Sequence, residues 1–201
     1  MAKNMSRDSL QKMTGLSIFT AVIALLTVLC TFIRFGPFSI TLALAPVIIG
    51  GAVYGMKAGA YLGTVFGFIV LLTGVFGWDG GTIMLLMGQN ALGCIAICVG
   101  KGAAAGWASA AIYKIAEKKS AKAASVAAAI ACPLVNTGLF ICGMFVFFMS
   151  TLEAWAGGMN VVYFAIIGLT GINFIVELVV NLALSSAITG IIRYGKGQRR
   201  E

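Results

Sequence analysis

The 201-residue chain has no histidine at all and only six acidic side chains against fourteen basic ones. The missing imidazole argues against a His-dependent hydrolase or a histidine proton relay. No G-x-x-x-x-G-K-[ST] run occurs, so any ATP hydrolysis must belong to partner proteins. The five cysteines, Cys30, Cys94, Cys98, Cys132 and Cys142, are scattered through apolar sequence. Only Cys94 and Cys98 approach each other, four residues apart, and all five read as small membrane residues, with no metal, cofactor or disulfide expected. Charged residues make up just 10% of the chain. No small-residue cleavage site follows a short apolar run near the start, so the first apolar segment is expected to be retained.

What remains is apolar. Hydrophobic residues are 60% of the sequence and the mean hydropathy is +1.02, far above the soluble range. A spanning helix needs roughly 17–25 mostly apolar residues, and candidate spans fall near 14–34, 40–56, 58–77, 99–117, 123–149 and 165–192. The ten-residue alternation that a membrane barrel requires is absent, leaving helices as the way to satisfy the backbone in hydrocarbon. The fold class is therefore an all-α integral membrane protein, one six-helix bundle filling 1–201. Lys3, Arg7, Lys12, Lys57, Lys114, Lys118, Lys119, Lys122, Arg193, Lys196, Arg199 and Arg200 sit at span ends on one side, while Asp79 and Glu153 mark the other, with Arg34 the exception. That asymmetry is the positive-inside signature, placing both termini on the cytoplasmic side of the membrane. The net charge of +8 thus speaks for topology and not for nucleic acid.

The stretch from Thr82 to Lys114 would run about 50 Å as one helix, too long for a bilayer core of roughly 30 Å. Residues 82–98 are therefore expected to form an extracellular lid, interrupted at Gly88, Gln89 and Asn90, with helix 4 starting near Gly100 and Lys101 near its outer end. Gly55, Gly59, Gly63 and Gly67 recur every four residues and predict a close-packed stripe, either internal or against a partner. Helix 1 offers Ser17 with Ala21 and Thr20 with Ala24; helix 4 offers Gly102, Gly106 and Ala110. Intramembrane polar groups are the sharpest functional signal, because a central charge costs roughly 2.5–3.5 kcal/mol. Asn173, Glu177 and Asn181 form one stripe at i, i+4 and i+8, with Asn181 the more structural member. Asn136 and Thr137 follow Pro133, where a missing donor loosens the helix.

The run ITLALAPVIIGGAVYGMKAGAYLGTVFGFI (40–69), the lid segment, the Lys101 helix start, PLVNTGLF (133–140) and NFIVELVVN (173–181) together resemble the substrate-binding S components of energy-coupling-factor (ECF) vitamin transporters. The resemblance spans nearly the whole chain. It implies high-affinity binding of a vitamin on the extracellular side, enclosed by the loops after helices 1, 3 and 5. Release would follow toppling of the bundle on a shared transmembrane T subunit carrying two cytoplasmic ATPases. Related sequences carry an Ala-x-x-x-Ala docking surface in helix 1, which Ser17/Ala21 or Thr20/Ala24 matches only in size, and an arginine where Lys101 stands. The expected ligand-binding residues are Glu177, Asn173, Asn136, Lys101, Gln89, Asn90 and Trp78. Phe35, Phe38, Phe76, Trp155 and Tyr163 serve either to stack a ligand ring or as an interfacial belt. The expected docking residues are Ser17, Thr20, Ala21, Ala24, Gly55, Gly59, Gly63 and Gly67. Lys101 tilts the substrate toward an anionic vitamin, with pantothenate ahead of riboflavin or folate. A stand-alone secondary carrier or small channel is the alternative, though no inverted repeat is evident; an enzyme is not expected.

Overall fold

A computed structural model describes residues 7–32, 34–35, 38–39 and 41–197. Lys3, Arg199 and Arg200 lie outside them, as do the side chains of Arg7, Arg34, Phe35, Phe38 and Lys196.

The chain opens with α1 (Arg7–Thr31), whose 25 residues run without an internal break into a minimal antiparallel pair, β1 (Arg34–Phe35) and β2 (Phe38–Ser39). The 11-residue helix α2 (Leu44–Tyr54) follows. Gly55, at φ 94°, breaks the chain between it and α3 (Met56–Val75), a backbone conformation that costs little only without a Cβ. Next come α4 (Thr82–Gln89), α5 (Ala91–Ala116) and α6 (Ala121–Phe147). The remainder is α7 (Met149–Ala156), α8 (Val161–Tyr163) continuing into a π-helix over Phe164–Leu169, α9 (Gly171–Ala183) and α10 (Ser185–Gly197).

Four of these helices, α1, α3, α5 and α6, are long and apolar enough to cross a membrane. Two bent pairs raise the number to as many as six if each counts as one span: α7 with α8 and its π extension, bent by 93°, and α9 with α10, bent by 49°. This distribution differs from the expected one. The helix within 40–56 is only α2, about 16 Å long and short of a bilayer core, and ten of its residues, Leu44 to Val53, are buried by neighbouring helices. An all-round apolar helix reads the same in sequence whether lipid or protein surrounds it. The continuous helix expected over 165–192 is likewise divided, at Thr170 and again at Leu184.

The 82–98 segment also needs correction. The chain does break where the sequence suggested, at Asn90, whose extended backbone (φ −151°) and side-chain oxygen, accepting from the Gly93 N–H at 2.9 Å, start a new helix. That helix is α5 itself, and it begins at Ala91, not near Gly100. Lys101 therefore lies ten residues into α5, about 15 Å from its first turn, and is not an outer-end residue.

The glycine stripe of α3 is consumed inside the bundle. A Cβ on Gly59 would overlap the Gly106 carbonyl, one on Gly63 the Gly102 carbonyl, and one on Gly67 the Cys98 carbonyl. Two glycine stripes thus face each other across antiparallel helices, letting the backbones touch; in lipid such packing drives helix association because apolar burial no longer does. Gly59, Gly63 and Gly67 present no surface to another subunit, which corrects their assignment as docking residues. Gly55 has no neighbour that a Cβ would meet, and its role is the turn.

Buried side chains gather in two clusters. One surrounds α2 and includes Ile23, Leu44, Ile48, Leu62, Phe66 and Ile188. The other, toward α4 and α7, includes Leu71, Ile83, Phe140, Met144, Phe148 and Leu169. Between them the packing opens.

Candidate functional site

A cavity of about 820 Å³, its open mouth included, lies where the two clusters meet. It draws one wall from each of α1, α3, α5, α6 and α9, with Thr41 contributed by the segment before α2, Asp79 by the approach to α4 and Ile83 by α4 itself.

Four of the seven expected ligand-binding residues meet here: Lys101, Asn136, Asn173 and Glu177. Spacing explains the pair on α9, since i and i+4 share one helical face. Glu177 is buried, and its carboxylate accepts hydrogen bonds from both the hydroxyl and the backbone N–H of Thr41. One turn on, the Asn181 Nδ2 donates to the Glu177 carbonyl at 2.8 Å and the residue stays behind the cavity wall. Lys101 projects from mid-α5 and its Nζ sits 4.8 Å above the centre of the Phe140 ring, a cation–π contact. Among the described residues no carboxylate forms an ion pair with it.

The other three expected ligand residues do not line the cavity. Gln89 accepts through Oε1 a short hydrogen bond from the Thr151 hydroxyl, tying α4 to α7. Asn90 is occupied as the α5 cap. Trp78 packs in an aromatic group, its ring centre 6.1 Å from that of Phe32 and 5.9 Å from that of Phe76.

Two kinds of lining residue went unrecognised in the sequence. Asp79 is one: its carboxylate accepts from the N–H groups of Gly81 (2.9 Å) and Ile83 (2.7 Å), so it holds the start of α4 and its charge is met by backbone. The other is a set of threonines. Thr27 donates to the Ile23 carbonyl at 2.7 Å, Thr73 to Val70 at 3.0 Å, and Thr170 to Ala165 and Ile166 at 3.1 and 3.2 Å. With those protons committed to their own helices, the hydroxyl oxygens retain acceptor capacity, which suits a ligand rich in O–H or N–H groups. Thr170 owes its place to the π-helix before it, where the widened turn offers two carbonyls to one hydroxyl. Threonines near a helix end carry no periodic mark, so nothing in the sequence distinguished them.

Helices of this kind enclose a polar chamber lined, among the described residues, by one ammonium and two carboxylates. The model of one family, the substrate-specific component of ECF transporters, matches residues 11–192, and the chain belongs to that family. No curated protein matches the chain. Membership makes it a multi-pass membrane subunit that confers substrate specificity on a transporter, a family whose ATPase activity resides in partner modules.

Proposed function

We propose that this chain captures a small anionic vitamin, with pantothenate the best match, and delivers it through a T subunit and two ATPases. Charge bookkeeping around the cavity supports the anion. Of the three charged residues described there, Asp79 is met by two backbone N–H groups and Glu177 by Thr41, with the Lys101 charge also acting on Glu177, while the Lys101 ammonium rests over a phenyl ring and forms no ion pair among the described residues. A cation so placed in a membrane bundle calls for a counter-charge, and a ligand carboxylate supplies it. The acceptor-only threonines suit hydroxyl and amide protons, which pantothenate carries along its length. Among the described residues Phe66, Phe140 and Phe174 bring rings to the wall.

In this reading both termini are cytoplasmic and the cavity opens outward. The docking face for the T subunit is α1. Only 17% of its apolar window is covered by the rest of the chain, against 50% for α3, and Ser17 and Ala21 lie exposed on it with Ile18 and Leu25 beside them.

The test is direct. Protein purified in mild detergent is denatured and the released small molecules are weighed by mass spectrometry. A carboxylate of pantothenate's size is the expected result; a neutral ligand recovered in stoichiometric amount would overturn the proposal.

A further inference from the structure

The basic end of the bundle takes no part in the cavity. Where α5 turns into α6, the chain carries Lys114, Lys118, Lys119 and Lys122, all exposed, and the single carboxylate of Glu117 among them. A fifth cation comes from another element. Tyr113, buried near the end of α5, lies within electrostatic reach of both Glu117 and Arg193, so the part of α10 that bears Arg193 stands beside the end of α5. α10 is held there by Ile188 and Ile192, which are buried in the cluster around α2, while Arg193 stays exposed.

Topology alone does not account for this arrangement. The positive-inside bias is satisfied by cations on any loop of one side and does not require that a separate helix bring an arginine to the same flank. Nor does it account for the apolar neighbours. Ile115 follows Lys114 directly, Ile191 and Tyr194 bracket Arg193, and all three are exposed. A flank that sets ammonium and guanidinium groups next to apolar side chains fits a partner with a phosphate at one level and hydrocarbon at the next. Long basic side chains suit that boundary, since their stems lie along apolar surface while their heads reach the polar layer.

We propose that Lys114, Lys118, Lys119, Lys122 and Arg193 form a binding site for the head group of an anionic phospholipid. Its acyl chains lie along Ile115 and Ile191, with Tyr194 at the level of the interface. A phosphodiester held between the α5–α6 turn and α10 ties the last helix to the body of the bundle from outside. The site is separate from the cavity and does not depend on what the cavity holds.

The experiment is native mass spectrometry of the full-length protein released from detergent, titrated separately with phosphatidylglycerol and phosphatidylcholine. The native protein should hold phosphatidylglycerol about 10- to 100-fold more tightly, because each basic residue near an anionic lipid contributes about fivefold. Lys118→Gln combined with Lys119→Gln should cut that preference by about 10- to 30-fold, and Arg193→Gln alone by about fivefold. Lys118→Arg combined with Lys119→Arg should keep it. Equal affinity of the native protein for the two lipids overturns the proposal. So does an unaltered preference in Arg193→Gln, which would leave a basic loop attracting anions by itself. Should the glutamine variants fail to insert or fold, salt decides on the native protein. Raising ammonium acetate from about 0.05 to about 0.5 M should erase most of the preference through screening, and a preference indifferent to salt overturns the site. Equal lipid affinities in the native protein, with assembly on the T subunit and ATPases lost in the lysine-to-glutamine variant, would assign the patch to an acidic protein surface instead.

Discussion

Gly63 and Gly102 face each other across α3 and α5 so closely that a methyl group on either would run into the other's carbonyl oxygen. Backbone cannot swing aside as a long side chain does, so the helices themselves would have to part. Gly63→Ala and Gly102→Ala should each destabilise the bundle by about 1–3 kcal/mol, the usual range for overpacking. Gly100→Ala, with nothing near its would-be Cβ, should be neutral or slightly stabilising. Thermal unfolding in detergent compares the three, and equal melting temperatures would show that the stripes do not pack as described.

Substitutions on α1 should behave in the opposite way. Ala21 is exposed on its helix, so Ala21→Leu should leave folding and ligand affinity within about 0.5 kcal/mol of native. If α1 docks on the T subunit, the same change should prevent stable assembly of the complex and abolish ATP-dependent uptake in vesicles. Normal uptake by the variant would move the docking face elsewhere.

These two cases mark what the sequence could convey. A four-residue glycine repeat announces close packing, but periodicity does not name the partner, and only the matching stripe at Gly102 and Gly106 on α5 turned out to fill it. The polar stripe on α9 was legible because Asn173 and Glu177 are rare residues in an apolar run and share a face. Lys101 and Asn136 were legible for the same reason. Gln89, Asn90 and Trp78 were not separable from ligand groups, since a helix-to-helix tie, a cap and an aromatic packing contact use the same residue types. The break at Asn90 was anticipated from length and composition. The start of α5 was not, because ALGCIAIC continues a helix as readily as it fills a lid.

Glu177 and Thr41 supply the third prediction. The carboxylate accepts twice from Thr41, which fixes the segment leading into α2 against α9 at the cavity wall. Thr41→Val removes the hydroxyl and keeps the N–H, and should cost about 1.5–3 kcal/mol for one hydrogen bond to a charged group. Glu177→Leu leaves both Thr41 donors unmet and should cost more. In the double variant the two losses should fall well short of their sum, because they report on one contact. Strict additivity would mean that Thr41 and Glu177 act apart.

Lys101→Met keeps the length and apolar stem of the side chain and removes only its charge. Loss of a charge-assisted hydrogen bond should weaken ligand binding by roughly 1.5–3 kcal/mol, about 10- to 150-fold. Lys101→Arg should recover part of this, since the charge returns with a wider, planar head. Titration calorimetry of the three proteins with the native ligand makes the comparison, and unchanged affinity in Lys101→Met would leave the lysine as a packing partner of Phe140 and nothing more.

The tie between Gln89 and Thr151 bears on how long a ligand stays. It joins α4, which brings Ile83 to the cavity wall, to α7, which leads on through α8 into the π segment that brings Leu169 there. Two sides of the chamber are therefore latched to each other at a point away from the ligand itself. Thr151→Val preserves the shape of the side chain and deletes the donor. One neutral hydrogen bond contributes about 0.5–1.5 kcal/mol, so the ligand should leave about 2- to 10-fold faster while associating at nearly the native rate. Displacement of labelled ligand by an excess of unlabelled ligand measures the first, and stopped-flow binding the second. A dissociation rate equal to the native one would show that α4 and α7 stay together without this contact. A matching slowdown in association would point to damage within the cavity instead.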